Sequence, residues 1–248
     1  MQNIFDNKTF FEGYRTLRST GANYNDLLEQ PAMQKLLPDL RGKTVLDLGC
    51  GYGRNCLDFV HRGAKAVTGI DLSQKMLEIA RGESADPKIT YINENMTELS
   101  KLHMKFDFIY SSLAFHYVEN FLSFVRDIYT ALNAGGQLLF SQEHPFVTAT
   151  IGGKQHYNYN QAGQAVSFTF SDYNRPGKRS VSWFVEGVEK YHRTFGEIIT
   201  TLANAGFVIE TVEEPMPASF AQEKLPALKK EAIKPTFLIV KAKKMATI

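Results

Sequence analysis

The sequence of 248 residues is 44% hydrophobic and 22% charged, with a formal net charge of +2. That length supports one large domain or two small ones whose core needs no disulfide or metal staple, and the composition excludes disordered and fibrous classes. The charge is too slight to mark a nucleic-acid or anionic-membrane surface. Cys50 and Cys56 lie close together beside one glycine cluster and offer no disulfide framework, which points to a reducing compartment. The amino-terminal MQNIFDNKTFFEGYR lacks the basic start and apolar run of a secretory signal, and no stretch approaches the roughly 18 apolar residues of a membrane span. A cytoplasmic protein is the expectation.

The first 40 residues read as helical and aromatic, outside any sheet. Lys43–Leu48 (KTVLDL) is a short buried-strand pattern ending in glycines, and Asn55–His61 is helix-compatible. Ala66–Asp71 (AVTGID) reads as a second strand, with Ser73 as N-cap of a helix through Ala80. Ile89–Ile92, Phe106–Ser111 and Gln137–Ser141 follow as strands three to five. Between the last two, Phe121, Phe124, Val125, Ile128 and Leu132 share one helical face, and Asn133, Gly135 and Gly136 supply a stop. Strand and helix alternating at this spacing specify an α/β fold, a doubly wound parallel sheet covered on both faces, with its ligand crevice beyond the carboxyl ends of the strands.

The pattern changes over 146–190. Val166–Phe170 and Val181–Trp183 alternate with period two around the turn signal Asn174–Gly177, so they are read as the arms of one inserted antiparallel hairpin. Thr194 and Glu197 then form a capping box, Phe195–Ala205 a helix ended by Gly206, and Phe207–Val212 with Pro235–Ala242 an antiparallel pair closing the sheet. The expected organisation is one domain over 1–248: a helical cap at 1–40, a core at 41–145, a β insertion at 146–190, and a helix with strands at 191–248. Lys224, Lys229, Lys230 and Lys234 are interrupted by Glu223 and Glu231, the mark of a solvated helix rather than an RNA track.

The most informative stretch is Val45–Gly53 (VLDLGCGYG), where a strand turns sharply into a helix. A dinucleotide fingerprint would place its third glycine at position 54, which is Arg54, with Gly53 one residue early. Asp47 just ahead of the glycines is also an awkward neighbour for a pyrophosphate. An acid followed by G-x-G-x-G suits a ligand carrying an amine and a sulfonium. Asp71, ending the second strand, is placed to accept from both hydroxyls of a ribose.

VLDLGCGYG, GIDLS, FDFIYSSLAFHYVEN and LNAGGQLLFSQEHP together resemble the class I S-adenosylmethionine (SAM) dependent methyltransferases, the small-molecule enzymes of the ubiquinone-biosynthesis type in particular. The resemblance is strong over roughly Leu40–Ser141 and elsewhere extends to layout. It implies a seven-stranded, mostly parallel Rossmann-like sheet whose last strand is inserted antiparallel. It also implies SAM as cofactor, S-adenosylhomocysteine as product, and in-line transfer of a methyl group to an O, N or C atom. On the same basis Gly49, Cys50 and Gly51 would pass under the methionine of SAM, Asp47 would hold its ammonium and Asp71 its ribose. Leu72, Asn95 and Met96 would meet the adenine, although the family commonly has Asp where Asn95 stands, and Ser111 would border the methionine. Tyr14 and Arg18 lie four apart on one helical face, in a segment that lids the cofactor in related enzymes, with Arg18 toward the carboxylate.

Displacement at a sulfonium needs alignment above all, and a base only where the acceptor is protonated. His116 and His144, each just past a strand end, are the catalytic candidates; His116 suits either a base or an orienting donor. Tyr117, Glu143, Tyr191 and Arg193 are the candidates for the acceptor pocket. The tract His156–Asn160 reads as an exposed loop or a pocket wall. No paired-acid metal site stands out, and the expected partner is a small-molecule acceptor, with no nucleic acid and no membrane span, on a monomer or homodimer. A SAM-binding sensor or partner subunit, and a nicotinamide oxidoreductase, are the alternatives.

Overall fold

The computed structural model describes residues 1–152 and 155–246; positions 153 and 154, within the expected insertion, lie outside the described residues. Two amino-terminal helices, α1 (Lys8–Ser19) and α2 (Gln30–Leu36), precede the sheet, the second entered through a π-helical turn at Asn25–Glu29. The core then alternates β1 (Thr44–Leu48), α3 (Arg54–His61), β2 (Ala66–Asp71), α4 (Gln74–Glu83) and β3 (Ile89–Asn93). It continues through β4 (Phe106–Ser111), α5 (Phe121–Ala131) and β5 (Leu132–Glu143). A short helix α6 (Pro145–Thr148) leads into β6 (His156–Tyr159), β7 (Ala165–Thr169), β8 (Gly177–Trp183) and β9 (Val185–His192). The chain returns through α7 (Phe195–Asn204), β10 (Phe207–Glu213), α8 (Ser219–Lys224) and β11 (Phe237–Lys244).

The seven-stranded sheet has the order β10-β11-β5-β4-β1-β2-β3. β1 to β5 run parallel; β11 is antiparallel to β5 and β10 to β11, as the sequence pattern anticipates. Because helices cover both faces, the central strands are apolar on both. Leu46, Leu48, Ile109 and Phe140 face α5 and α7, packing with Phe124, Ile128, Ile198 and Leu202. Val45, Val67, Phe108 and Leu139 face the other way, onto Met33 of α2 and Phe59 of α3. The strand order reverses between β1 and β4, which opens a crevice at their carboxyl ends.

Four expectations need revision. The runs Val166–Phe170 and Val181–Trp183 do not pair. β6 pairs with β7 and β8 with β9, so Asn174–Gly177 joins two hairpins instead of turning one. Each hairpin closes through its nearest neighbour in sequence, where the loop-closure cost is smallest. Asn160 Oδ1 accepts from the Ala162 and Gln164 N–H groups in the first, and the second turns at Phe184 with φ +60°. His156–Tyr159 is therefore strand rather than loop. The glycines after α5 lie within β5, where Gly135 has φ +77° and the pairing with β4 slips from Phe106↔Leu132 to Phe108↔Gln137. Finally, the basic carboxyl-terminal stretch docks on the first hairpin. Lys230 donates to Tyr159 Oη at 2.9 Å and lies 4.8 Å from the Tyr157 ring centre, and Lys234 is buried over Phe168.

Candidate active site

Gly49, Gly51 and Gly53 all have positive φ (+74°, +53° and +74°), the left-handed backbone that glycine tolerates best. This turn aims N–H groups inward. Gly49 and Cys50 donate to the Ile70 carbonyl at 2.8 and 3.0 Å, and Gly51 donates to Asp71 Oδ2 at 2.8 Å. The other oxygen of Asp71 accepts from the Ser73 N–H at 2.8 Å, and Ser73 caps α4 by accepting from the Met76 N–H. Asp71 thus welds the glycine loop to the next helix. Its burial pushes the pKa up to about 6.

Beneath the loop, Asp47 is buried. Its Oδ2 accepts from Cys56 Sγ at 3.5 Å, its Oδ1 has no protein partner, and burial raises its pKa to about 7. Ser111 donates to the Leu48 carbonyl at 2.7 Å and so ties β4 to β1; its neighbour Ser112 faces the cavity instead. Asn95 caps the 3-10 turn Met96–Leu102 by accepting from the Thr97 N–H, which leaves Met96 at the cavity wall.

The glycine loop, Asp71, Met96 and Ser112 edge a cavity of about 720 Å³ at the carboxyl ends of β1, β2, β4 and β5. That volume is in the range of small-molecule sites. Its roof is α1 with the turn of the second hairpin. Phe10 and Tyr14 meet Trp183 edge-on at 5.1 and 6.0 Å, and a Cβ on Gly13 would fall 2.6 Å from the Phe184 ring. The amino terminus is pinned by Asp6, which accepts from Ser73 Oγ at 2.6 Å and whose carbonyl accepts from Lys75 Nζ at 2.7 Å. Arg18 donates to Asn25 Oδ1 and pairs with Asp26 at 3.3 Å.

Of the cofactor candidates, Tyr14, Arg18, Gly49, Cys50, Gly51, Asp71, Leu72 and Met96 line the cavity. Asp47, Asn95 and Ser111 stand outside its lining, one shell back. His116, Tyr117 and Glu143 line the opposite end. His116 Nδ1 accepts from the Glu143 N–H at 3.3 Å, and burial depresses its pKa to about 4, so the ring is neutral at pH 7 with its proton on Nε2. Nε2 is left as the ring's donor. Lys190 donates to Glu143 Oε1 at 2.5 Å, while Oε2 is buried without a protein partner. Burial works against ionisation of Glu143, but Lys190 and then His116 overcome it and hold the carboxyl below its usual range.

The structure does not bring His144, Tyr191 and Arg193 to the cavity wall. His144 caps α6 by accepting from the Phe146 N–H at 3.1 Å, and its Nε2 meets Glu214 Oε1 at 2.9 Å. Tyr191 pairs across the second hairpin with Lys178. Arg193 donates to the Val118 and Glu119 carbonyls and lies over Phe121 at 4.7 Å, which steadies the loop carrying His116.

Sequence reasoning missed Glu29. This buried carboxylate accepts from Ser112 Oγ (2.8 Å), Ser141 Oγ (2.5 Å), Asn25 and Gln30, and so joins the cap to β4 and β5. An acid three residues into an apolar helical pattern was its only local signal. Lys190 and Trp183 were missed too, because strand alternation alone does not say which face meets a cavity.

The general methyltransferase-domain family matches residues 46–140. An uncharacterised protein of Haemophilus influenzae is 39% identical over 98% of this chain and 97% of its own length. The crystal structure of a SAM-dependent methyltransferase from Mesorhizobium loti is 38% identical, with a TM-score of 0.78, covering 87% of this chain and 97% of that one. The chain belongs to the SAM-dependent methyltransferases. The ubiquinone biosynthesis O-methyltransferase of Coxiella burnetii is 31% identical over 41% of this methyltransferase and 44% of the relative, a likeness confined to part of each. SAM is accordingly the cofactor, and the nicotinamide alternative falls away. Among the described residues no helix is long and apolar enough to cross a membrane.

Proposed function

We propose that this methyltransferase moves the methyl group of SAM to a small molecule enclosed in the cavity. The observation that carries the reading is the continuity of that cavity: one space runs from the glycine loop to His116 and Glu143 under the roof made by α1 and Trp183.

The residues at the first end fit the cofactor. A Cβ on Gly51 would meet no atom within 4 Å, so the loop leaves room for a ligand to lie against its backbone. Asp47, buried beneath the loop and off the cavity wall, acts on the ammonium of the methionine moiety through its charge. Asp71 accepts from the Gly51 and Ser73 N–H groups, and the acceptor capacity left on its two oxygens suits the ribose hydroxyls. Leu72 and Met96 supply apolar surface for the adenine, and Arg18 with Tyr14 lies toward the methionine carboxylate. Asn95 and Ser111 hold Met96 and β4 in place from behind.

When bound, SAM supplies an electrophilic methyl on a good leaving group. The protein's part is to hold an acceptor atom about 3 Å from that methyl, in line with the breaking bond, and to keep water out. The neutral His116 orients the acceptor by donating from Nε2. Calorimetric titration with S-adenosylhomocysteine, followed by an acceptor screen with methyl-labelled SAM, tests the reading. Micromolar binding and label transfer to small molecules are expected; binding with transfer only to protein or RNA would overturn the acceptor class.

A further inference from the structure

The acceptor end of the cavity carries an unsatisfied charge. Glu143 Oε1 is taken by Lys190, but Oε2 is buried without a partner in a residue that lines the cavity. A desolvated carboxylate oxygen calls for a donor. Beside it, His116 Nδ1 is occupied by the Glu143 N–H, so Nε2 offers a proton. Around these two polar points stand Phe5, Tyr14, Tyr117 and Trp183, with Phe5 edge-on to Tyr14 at 5.3 Å and to Tyr117 at 6.0 Å. Aromatic walls favour a flat guest and stabilise positive charge developing on it.

We propose that Glu143, charge-paired with Lys190, and His116 select the acceptor, and that it is an uncharged, planar nitrogen heterocycle giving an N–H to Glu143 Oε2 and accepting from His116 Nε2. This assignment rests on the reading of the cavity as the acceptor site. In the transfer, the lone pair of a further ring nitrogen, one not held by His116 or Glu143, forms the N–CH3 bond as the S–CH3 bond breaks and sulfur keeps the electrons of that broken bond. Positive charge arises on the ring beside the ionised Oε2, which stabilises it, and the N–H proton is lost to water as the product leaves. A phenol would first have to lose a proton, and neither group is a base for it: His116 presents N–H, and Glu143 is held ionised below its usual range. A carboxylate or phenolate would meet the anionic Oε2. The remaining charges near Glu143 do not reverse this, because Lys190 is spent on Oε1 and Lys234 also faces Glu231.

The test is calorimetry on the full-length protein saturated with S-adenosylhomocysteine, using benzimidazole and hypoxanthine as nitrogen probes and catechol and 4-hydroxybenzoate as oxygen probes. The nitrogen probes are expected to bind at least tenfold more tightly than the oxygen probes. Glu143→Gln is expected to weaken them at least tenfold while S-adenosylhomocysteine affinity stays within twofold. Since Glu143→Gln strands Lys190, the double variant Glu143→Gln/Lys190→Met is measured alongside and read in its place if the single variant does not fold. Preference for the oxygen probes, no binding of either nitrogen probe, or no effect of removing the Glu143 charge would overturn the proposal. If S-adenosylhomocysteine itself fails to bind the wild-type protein, it is the cavity reading that falls.

Discussion

The two ends of the cavity are built on different plans. The end at the glycine loop is made chiefly from one stretch of chain, Asp47 to Ser73, in which the glycine backbone and Asp71 edge the cavity and Asp47 lies buried beneath. The acceptor end draws Phe5 and Tyr14 from the amino terminus, His116 and Tyr117 from the loop after β4, Glu143 from the end of β5, and Trp183 and Lys190 from the second hairpin. Contacts made by backbone and by neighbours in sequence can stay constant while a distant assembly changes. A common cofactor and a variable acceptor fit that division.

Substitutions can break the comparison at either end. The largest effect is expected from Gly49→Ala, whose Cβ would fall 2.8 Å from Ala114 Cβ at φ +74°. The backbone strain alone is worth about 1–3 kcal/mol. Thermal unfolding should register that loss, and S-adenosylhomocysteine binding should disappear from calorimetry. Wild-type values for both would show that the loop is not tightly held.

Next comes Asp71→Ala, expected to weaken S-adenosylhomocysteine by about 1–3 kcal/mol, the range for losing charge-assisted hydrogen bonds. Unchanged affinity would remove Asp71 from the ribose. Lower pH should imitate the change more gently. With the Asp71 pKa raised to about 6, protonation removes an acceptor as pH falls from 7 to 5, so affinity falls with it. The sign is opposite for folding. A raised carboxyl pKa means the folded form holds the proton more tightly, so the contribution of Asp71 to stability declines as pH rises from about 4 to about 6. Affinity that stays flat from pH 7 to 5 would argue that the ligand does not touch this carboxylate.

The smallest functional effect belongs to His144→Ala. It removes the cap of α6 and the contact with Glu214, costing about 0.5–2 kcal/mol of stability. S-adenosylhomocysteine affinity should not move. A tenfold loss would extend the site to a residue that lies off the cavity wall.

Much of the core was legible because its signals are local. The apolar strands, the Ser73 cap and the Thr194–Glu197 capping box each need only a few consecutive residues, and all occur where the pattern puts them. Ser111 shows the limit. Its place at the end of β4 was readable, but only the structure reveals that Ser111 turns to Leu48 while Ser112 takes the cavity side. In the same way, period-two alternation marked two strands of the insertion and missed their partners. His156–Tyr159 is polar and aromatic, and its pairing depends on the Asn160 turn.

What the sequence determined by itself is the turn at one end of the cavity: a glycine turn after an apolar strand, with an acid before it and another at the next strand end, folds as the pattern requires. Tertiary structure alone decided the acceptor half. His144 and His116 look alike in sequence, each just past a strand end, yet one caps a helix and the other faces the cavity. Glu143 gains its character from Lys190, 47 residues away. Charge, burial and hydrogen bonding at that end come from segments that meet only when the chain folds, and spacing along the chain carries no record of the meeting.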